Sequence, residues 1–245
     1  MLPRTAARWL RCRTPRPAAR LRLVCFPHAG GAASFYSDWS GLAPADVEVH
    51  AVQYPGREDR IADAPPTAMS ELVAGVTAEV EALSGAPLVL FGHSMGALVA
   101  YEVARELSVV PARLVVSGRH TPDELVGGDV HLRDDEGLVA EVLRVGGAGA
   151  EMLASAKELW PVFLPAIRGD YRVEETYRHQ PGASLSCPVT AIIGAQDGEV
   201  TTEQADRWST YTSGPFTRHV VPGGHFFPAE HAARVLGLAI EETSR

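Results

Sequence analysis

Gly92-His93-Ser94-Met95-Gly96 sets a serine between two glycines, directly after the apolar run Leu88-Val89-Leu90-Phe91 and at the start of a stretch with helical period. A strand-to-helix turn this tight excludes bulky neighbours, and its strain projects the serine hydroxyl away from the backbone. Near neutral pH that hydroxyl is a poor nucleophile and needs a base, which in turn needs an acid to orient it. Nine histidines compete for the role of base. His225 stands in Pro222-Gly223-Gly224-His225-Phe226-Phe227, a glycine-rich loop between a predicted last strand and a final helix, which is the sheet edge where Ser94 must also lie. His93 should point away from the serine, and His28 belongs to the loop after the first predicted strand. His50, His120, His131, His179, His219 and His231 have no comparable loop context. Asp197 is the best-placed acid, in the turn Gly194-Ala195-Gln196-Asp197, with Glu199 and Asp206 as rivals. A tetrahedral oxyanion also requires donors. The backbone N–H of Met95, at a helix N-terminus, is the first candidate. A second is expected from Phe26-Pro27-His28-Ala29-Gly30-Gly31, at Ala29 or alternatively at Gly30.

These residues need a scaffold that brings several loops to one edge. Short β-branched runs at Leu21–Phe26, Val47–Val52, Leu88–Phe91, Leu114–Ser117, Val189–Ile193 and Arg218–Val221 alternate with helical stretches. That alternation predicts an α/β fold with a mostly parallel sheet covered by helices on both faces. Several runs are apolar throughout, as strands buried on both faces must be. Met69, Leu72, Val73, Val76, Val80 and Leu83 recur at helical spacing, and further helices are expected over Met95–Leu107 and Pro228–Ile240. Residues 119–186 break the alternation and read as a helical insertion, with patches at Asp134–Val145 and Leu159–Tyr177. Leu159, Phe163, Leu164 and Ile167 are expected to wall an acyl pocket from this insertion, and Pro165 to kink or split its helix.

The 245 residues form one domain's worth of chain, with no apolar run near the roughly 18 residues of a membrane span. Cys12, Cys25 and Cys187 are odd in number and lack the paired spacing of a zinc or redox site, which fits a reducing cytoplasm. Residues 1–22 hold seven arginines and no acid, leaving a body of net charge about -15 that argues against nucleic acid as ligand. Residues 1–20 read as a solvated Arg-rich extension ahead of the domain at 21–245, and their removal is expected to matter little to turnover.

Five segments carry a family resemblance: Phe26-Pro27-His28-Ala29-Gly30-Gly31; Tyr54-Pro55-Gly56-Arg57-Glu58-Asp59-Arg60; Gly92-His93-Ser94-Met95-Gly96; Leu164-Pro165-Ala166-Ile167-Arg168-Gly169-Asp170-Tyr171; and Pro222-Gly223-Gly224-His225-Phe226-Phe227. With them the chain resembles the freestanding type II thioesterases of polyketide and nonribosomal-peptide assembly lines, members of the α/β-hydrolase fold. The resemblance implies hydrolysis of acyl groups from the phosphopantetheine thiol of an acyl or peptidyl carrier protein through an acyl-Ser94 intermediate. It also implies a Ser94-Asp197-His225 triad, a lid formed by the insertion, and no metal or redox cofactor. A carboxylesterase acting on small oxygen esters would share the fold and triad, and a non-catalytic acyl-binding scaffold is a third reading. The Arg-rich extension lies outside the family pattern.

Overall fold

Alternate side chains of the inner strands enter two different cores. In β2 (Leu21–Phe26), Val24 and Phe26 join one buried cluster, and Leu21, Leu23 and Cys25 join the other. In β4 (Leu88–His93), Leu88 and Leu90 face the first cluster, Val89 and Phe91 the second. Two-sided burial is why these runs are apolar apart from Arg22 in β2 and Gly92-His93 at the end of β4. The computed structural model describes residues 8–241 apart from 84, 126 and 148, so Arg4 of the extension lies outside the described residues.

The sheet has seven strands in the order β1-β3-β2-β4-β5-β6-β7, where β1 is Leu10–Arg11, β3 Val47–Val52, β5 Arg113–Ser117, β6 Val189–Gly194 and β7 Phe216–Val221. Strands β2 to β7 run parallel to their neighbours, so the loops that follow them leave from one edge. Only β1 is antiparallel, pairing Leu10 with Val52 and Arg11 with Ala51. Helices α2 (Met69–Glu81) and α3 (Met95–Glu106) pack on one face. The short α1 (Trp39–Leu42) and the C-terminal α9 (Ala232–Ile240) cover the other.

Between β5 and β6 lie α4 (Asp135–Val145), α5 (Ala150–Ser155) and α6 (Trp160–Thr176), with no strand among the described residues. This segment has a small core of its own, built from Val130, Leu138, Val139, Leu153, Trp160 and Leu164. Two expectations need correction here. Pro165 does not split α6, which is assigned as helix over all 17 residues. Standing in the second turn, it forfeits only the bond to the carbonyl of Pro161, in the first turn. Leu164 turns into the insertion's core rather than toward a pocket. After β6, α7 spans Thr202–Asp206, and the expected last helix is broken at His231 into α8 (Phe227–Glu230) and α9.

The N-terminal extension is also less solvated than its composition implies. Beyond contributing β1, it buries Leu10 and packs Trp9 against the core under α2. Glu79 of α2 accepts hydrogen bonds from the successive backbone N–H groups of Arg8, Trp9 and Leu10. Three of its arginines meet acids of the domain itself: Arg8 with Asp63, Arg11 with Asp59 and Arg20 with Asp46.

Gly75 provides a test of this packing, because the sign of the effect depends on it. In an open helix interior, Gly→Ala stabilises by about 1 kcal/mol. Here a Cβ at residue 75 would lie 2.1 Å from Cζ2 of Trp9, whose ring also carries the Arg60 guanidinium 4.3 Å from its centroid. Gly75→Ala should therefore lower the thermal midpoint. A rise of a few degrees would mean that the extension does not rest on α2.

Candidate functional site

The strained turn predicted at Ser94 is present: Ser94 has φ 54° and ψ -123°, with β4 ending at His93 and α3 starting at Met95. Such a conformation persists only where the surroundings over-determine it. A Cβ at Gly92 would lie 2.2 Å from the carbonyl oxygen of Gly96, and one at Gly96 only 2.1 Å from the carbonyl oxygen of Phe26. Both glycines are thus required by contact, and the second packs the turn against the end of β2. The Ser94 N–H is held by the Ser117 carbonyl at 2.8 Å.

Asp197 follows β6, and its side chain is fully buried. His225 Nδ1 donates to it, with Oδ1 at 3.0 Å and Oδ2 at 3.1 Å. That bond fixes the tautomer and leaves Nε2 to exchange a proton. The rival acids are engaged elsewhere, Glu199 with Arg144 at 2.7 Å and Asp206 with Arg218 at 2.7 Å. Two further histidines crowd the site. His93 is fully buried, with Nδ1 3.1 Å from the Ser117 carbonyl, and burial together with nearby His225 pushes its pKa well below the usual value. His28 is lowered to about 3, by burial first, then by His225 and Arg57. Both stay neutral near pH 7, so a proton arriving on His225 meets no like charge from them.

The loop after β2 distinguishes between the two oxyanion candidates. The Gly30 N–H donates to Asp170 Oδ2 at 2.7 Å, which removes it as a donor to substrate and leaves Ala29 as the candidate from that loop. Met95 supplies the first N–H of α3, beside Ser94. Asp170 belongs to α6, is wholly buried, and forms a two-pronged ion pair with buried Arg57: Nη1 to Oδ2 at 2.5 Å and Nη2 to Oδ1 at 2.8 Å. Arg57 also donates to the Gly31 carbonyl at 2.9 Å. Composition alone does not single out this buried pair. The available signal is that Arg57 and Asp170 each stand inside a segment carrying the family resemblance.

A cavity of about 460 Å³ opens on these groups, within the usual range for a small-molecule site. Ser94, His225, Ala29 and Gly30 line it from the sheet edge, and Val142, Met152, Leu153, Phe163 and Ile167 from the insertion. Of the four residues expected as its wall, Phe163 and Ile167 are there. Leu164 is committed to the insertion's core, and Leu159 does not reach the cavity lining. Elsewhere, β1–β3 pairing gathers Cys12, Glu48 and His50, with ligand atoms within 4.8 Å of one another. Sequence spacing hides this group because strand pairing creates it. Glu48 is already satisfied there by the Arg16 N–H, His50 and Arg22.

A sequence model of the thioesterase-domain family matches residues 21–242. The chain is 44% identical over 230 residues to a probable cadicidin biosynthesis thioesterase of Streptomyces griseus, covering 93% of this chain but only 63% of that protein. It is 42% identical to the thioesterase PikA5 of Streptomyces venezuelae, covering 89% of this chain and 79% of that one. Among solved structures, the type II thioesterase BorB from the borrelidin biosynthetic cluster superposes with a TM-score of 0.87 at 43% identity, covering 95% and 96% of the two chains. Among the described residues no helix is long and apolar enough to cross a membrane.

Removing one partner of a buried ion pair leaves the other charge uncompensated, at about 3–5 kcal/mol. Asp170→Asn should lower the unfolding free energy by that amount, read from the shift of the denaturation midpoint. Because the same carboxylate holds Gly30, turnover by the folded fraction should also fall, with KM changing less than kcat. Lost stability with an unchanged kcat would reduce the pair to a purely structural role.

Proposed function

We infer the chemistry from one premise: the chain belongs to the thioesterase-domain family. It is a thioester hydrolase of the type II kind, and its substrate is an acyl group carried on the phosphopantetheine thiol of an acyl or peptidyl carrier protein. One observation carries this reading. Asp197 fixes Nδ1 of His225 at the wall of the same cavity that Ser94 lines. The relatives named as a biosynthesis thioesterase and as a type II thioesterase of a biosynthetic cluster support the carrier-bound substrate.

In the first half-reaction, His225 Nε2 takes the proton of Ser94 Oγ as Oγ bonds to the thioester carbonyl carbon. The oxyanion is met by the N–H groups of Met95 and Ala29. Collapse breaks the C–S bond, giving acyl-Ser94, and the imidazolium passes its proton to the departing sulfur, which leaves as the free thiol and returns His225 to its neutral form. A thiol ionises near pKa 8.5, so the departing sulfur asks little acid help from the imidazolium. In the second half-reaction, His225 removes a proton from water as its oxygen attacks the acyl-serine, and the proton returns to Ser94 Oγ as the free acid departs. Deacylation is the step that depends most on His225 as base.

Release of free acid from acyl carrier-protein thioesters, measured beside matched oxygen esters, tests this. Ser94→Ala should abolish turnover with the fold intact. Asp197→Asn should lose about four orders of magnitude, the cost of misorienting the base in a serine triad. A faster reaction on the oxygen ester, or a fully active Asp197→Asn beside an inactive Glu199→Gln, would overturn the substrate or the acid respectively.

The insertion forms a lid whose Phe163 and Ile167 set acyl-chain length, supported by their position on the cavity wall. Phe163→Ser and Ile167→Ser should raise KM for octanoyl thioesters at least fivefold more than for acetyl. An equal change across chain lengths would remove these two side chains from chain recognition.

A further inference from the structure

Arg119 is the second residue after β5, at the same sheet edge as the candidate triad. Gly118 precedes it with φ +58°, and a Cβ there would lie 3.3 Å from Cε1 of His225, so the chain reaches Arg119 directly past the proposed base. The backbone is pinned by Trp208, whose Nε1 donates to the Arg119 carbonyl at 2.8 Å. Only 8% of the side chain is exposed, and it lines the same cavity as Ser94 and His225.

One guanidinium nitrogen is used: Nη1 donates to Glu174 Oε1 at 2.7 Å. Both Nε and Nη2 are buried and have no hydrogen-bond partner. Buried donors left unpaired are unfavourable, and a group that meets them on binding recovers that loss. The guanidinium has no acceptor capacity, so the complementary ligand atom is an oxygen with lone pairs.

The charge on the cavity wall narrows which oxygen. Arg119 already has a counter-ion in Glu174, and Glu141, Glu175 and Glu199 line the same cavity. Arg144 bridges Glu141 and Glu199, Glu141 also meets Arg133, and Glu175 bonds to His131, but of these partners none lines the cavity, where Glu124, Glu141, Glu174, Glu175 and Glu199 face the single arginine Arg119. A substrate carboxylate would enter a wall where acids outnumber bases. A ketone or hydroxyl oxygen accepts the same two hydrogen bonds without adding negative charge.

We propose that Arg119 reads an oxygen on the acyl chain, making thioesters that carry a ketone or hydroxyl near the thioester end the preferred substrates. This rests on the thioesterase reading above and deepens it. The class of reaction that supplies such substrates is carbon–carbon condensation of acyl thioesters, with or without reduction of the resulting ketone.

The test compares kcat/KM of the full-length enzyme on N-acetylcysteamine thioesters of equal chain length: 3-oxohexanoyl, 3-hydroxyhexanoyl, hexanoyl and 5-carboxypentanoyl. The oxygenated chains should exceed hexanoyl by about tenfold or more, and the carboxylate should fall below it. In Arg119→Gln the ratio of oxygenated to saturated chain should approach one. The paired variant Arg119→Gln with Glu174→Gln avoids an unpartnered buried carboxylate and should show the same collapse, so a folding defect in the single variant leaves the test intact. Hydrolysis of hexanoyl with no preference in wild type, a preference that survives both variants, or a carboxylate favoured over the neutral chains would each overturn the role of Arg119. If none of the four thioesters is hydrolysed, it is the thioesterase reading that fails, and this assignment falls with it.

Discussion

The buried Arg57–Asp170 pair is the interaction on which the candidate site depends. Its two partners are 113 residues apart in sequence, one in the loop after β3 and the other in α6 of the insertion. Two charges this deeply buried are tolerated only when the geometry is good and the remaining lone pairs and protons are matched. Here the carboxylate also takes the Gly30 N–H, and the guanidinium also reaches the carbonyls of Gly31 and Pro55. Gln53 extends the set, accepting from the Ala33 N–H and donating to the Arg57 carbonyl. The loop after β2, the loop after β3 and the insertion are therefore held by one network. With the Gly30 N–H turned to Asp170, Ala29 is left to face the cavity.

A second constraint acts at shorter range. The turn at Ser94 is held in an unfavourable backbone conformation because Gly92 packs against the start of α3 and Gly96 against the end of β2. Any side chain at either position would force the helix and the strand apart. Strain at Ser94 is thus sustained by two-sided burial of the sheet, the same feature that made the inner strands largely apolar. The neutrality of His28 and His93 has the same origin, since burial is the first cause of each lowered pKa.

Legibility from sequence follows how local the determining interaction is. Strands β2 and β3 match their expected bounds to the residue, and α2 starts where its stripe starts, because a β-branched run packed in the sheet or one apolar face suffices to specify each. Strand β1 was not legible: two residues carry no periodicity, and it exists because the open edge of β3 and the Glu79 carboxylate accept it. The apolar stripe of α6 was read as one surface, yet α6 has two. Leu164 serves the insertion's core, while Phe163 and Ile167 serve the cavity. Helical spacing marks a residue as inward-facing, and when an element lies between two apolar spaces it cannot say which one. For the same reason sequence leaves Gly30 open as an alternative to Ala29. The hydrogen bond that separates them comes from a residue 140 positions away.

The insertion coheres through one set of side chains and meets the domain through others, among them Val173 of α6, which joins the same core as α2 and α3. Its own cluster, around Leu138, Leu153, Trp160 and Leu164, lets α4, α5 and α6 cohere without reference to the sheet. Its tie to the oxyanion loop runs through the buried carboxylate of Asp170, reinforced where Ile167 meets Gly30, an ideal Cβ there lying 3.1 Å from Ile167 Cγ1. Side chains that face the cavity, such as Phe163 and Met152, lie outside both that cluster and the Arg57–Asp170 network and can change the pocket's shape without disturbing the network or the Ser94 turn. Ile167 is the exception, since it touches both the cavity and Gly30. The shape of the cavity wall and the position of the loop after β2 are therefore set by different side chains along much of the insertion, and the two meet at the single turn of α6 that carries Ile167 and Asp170.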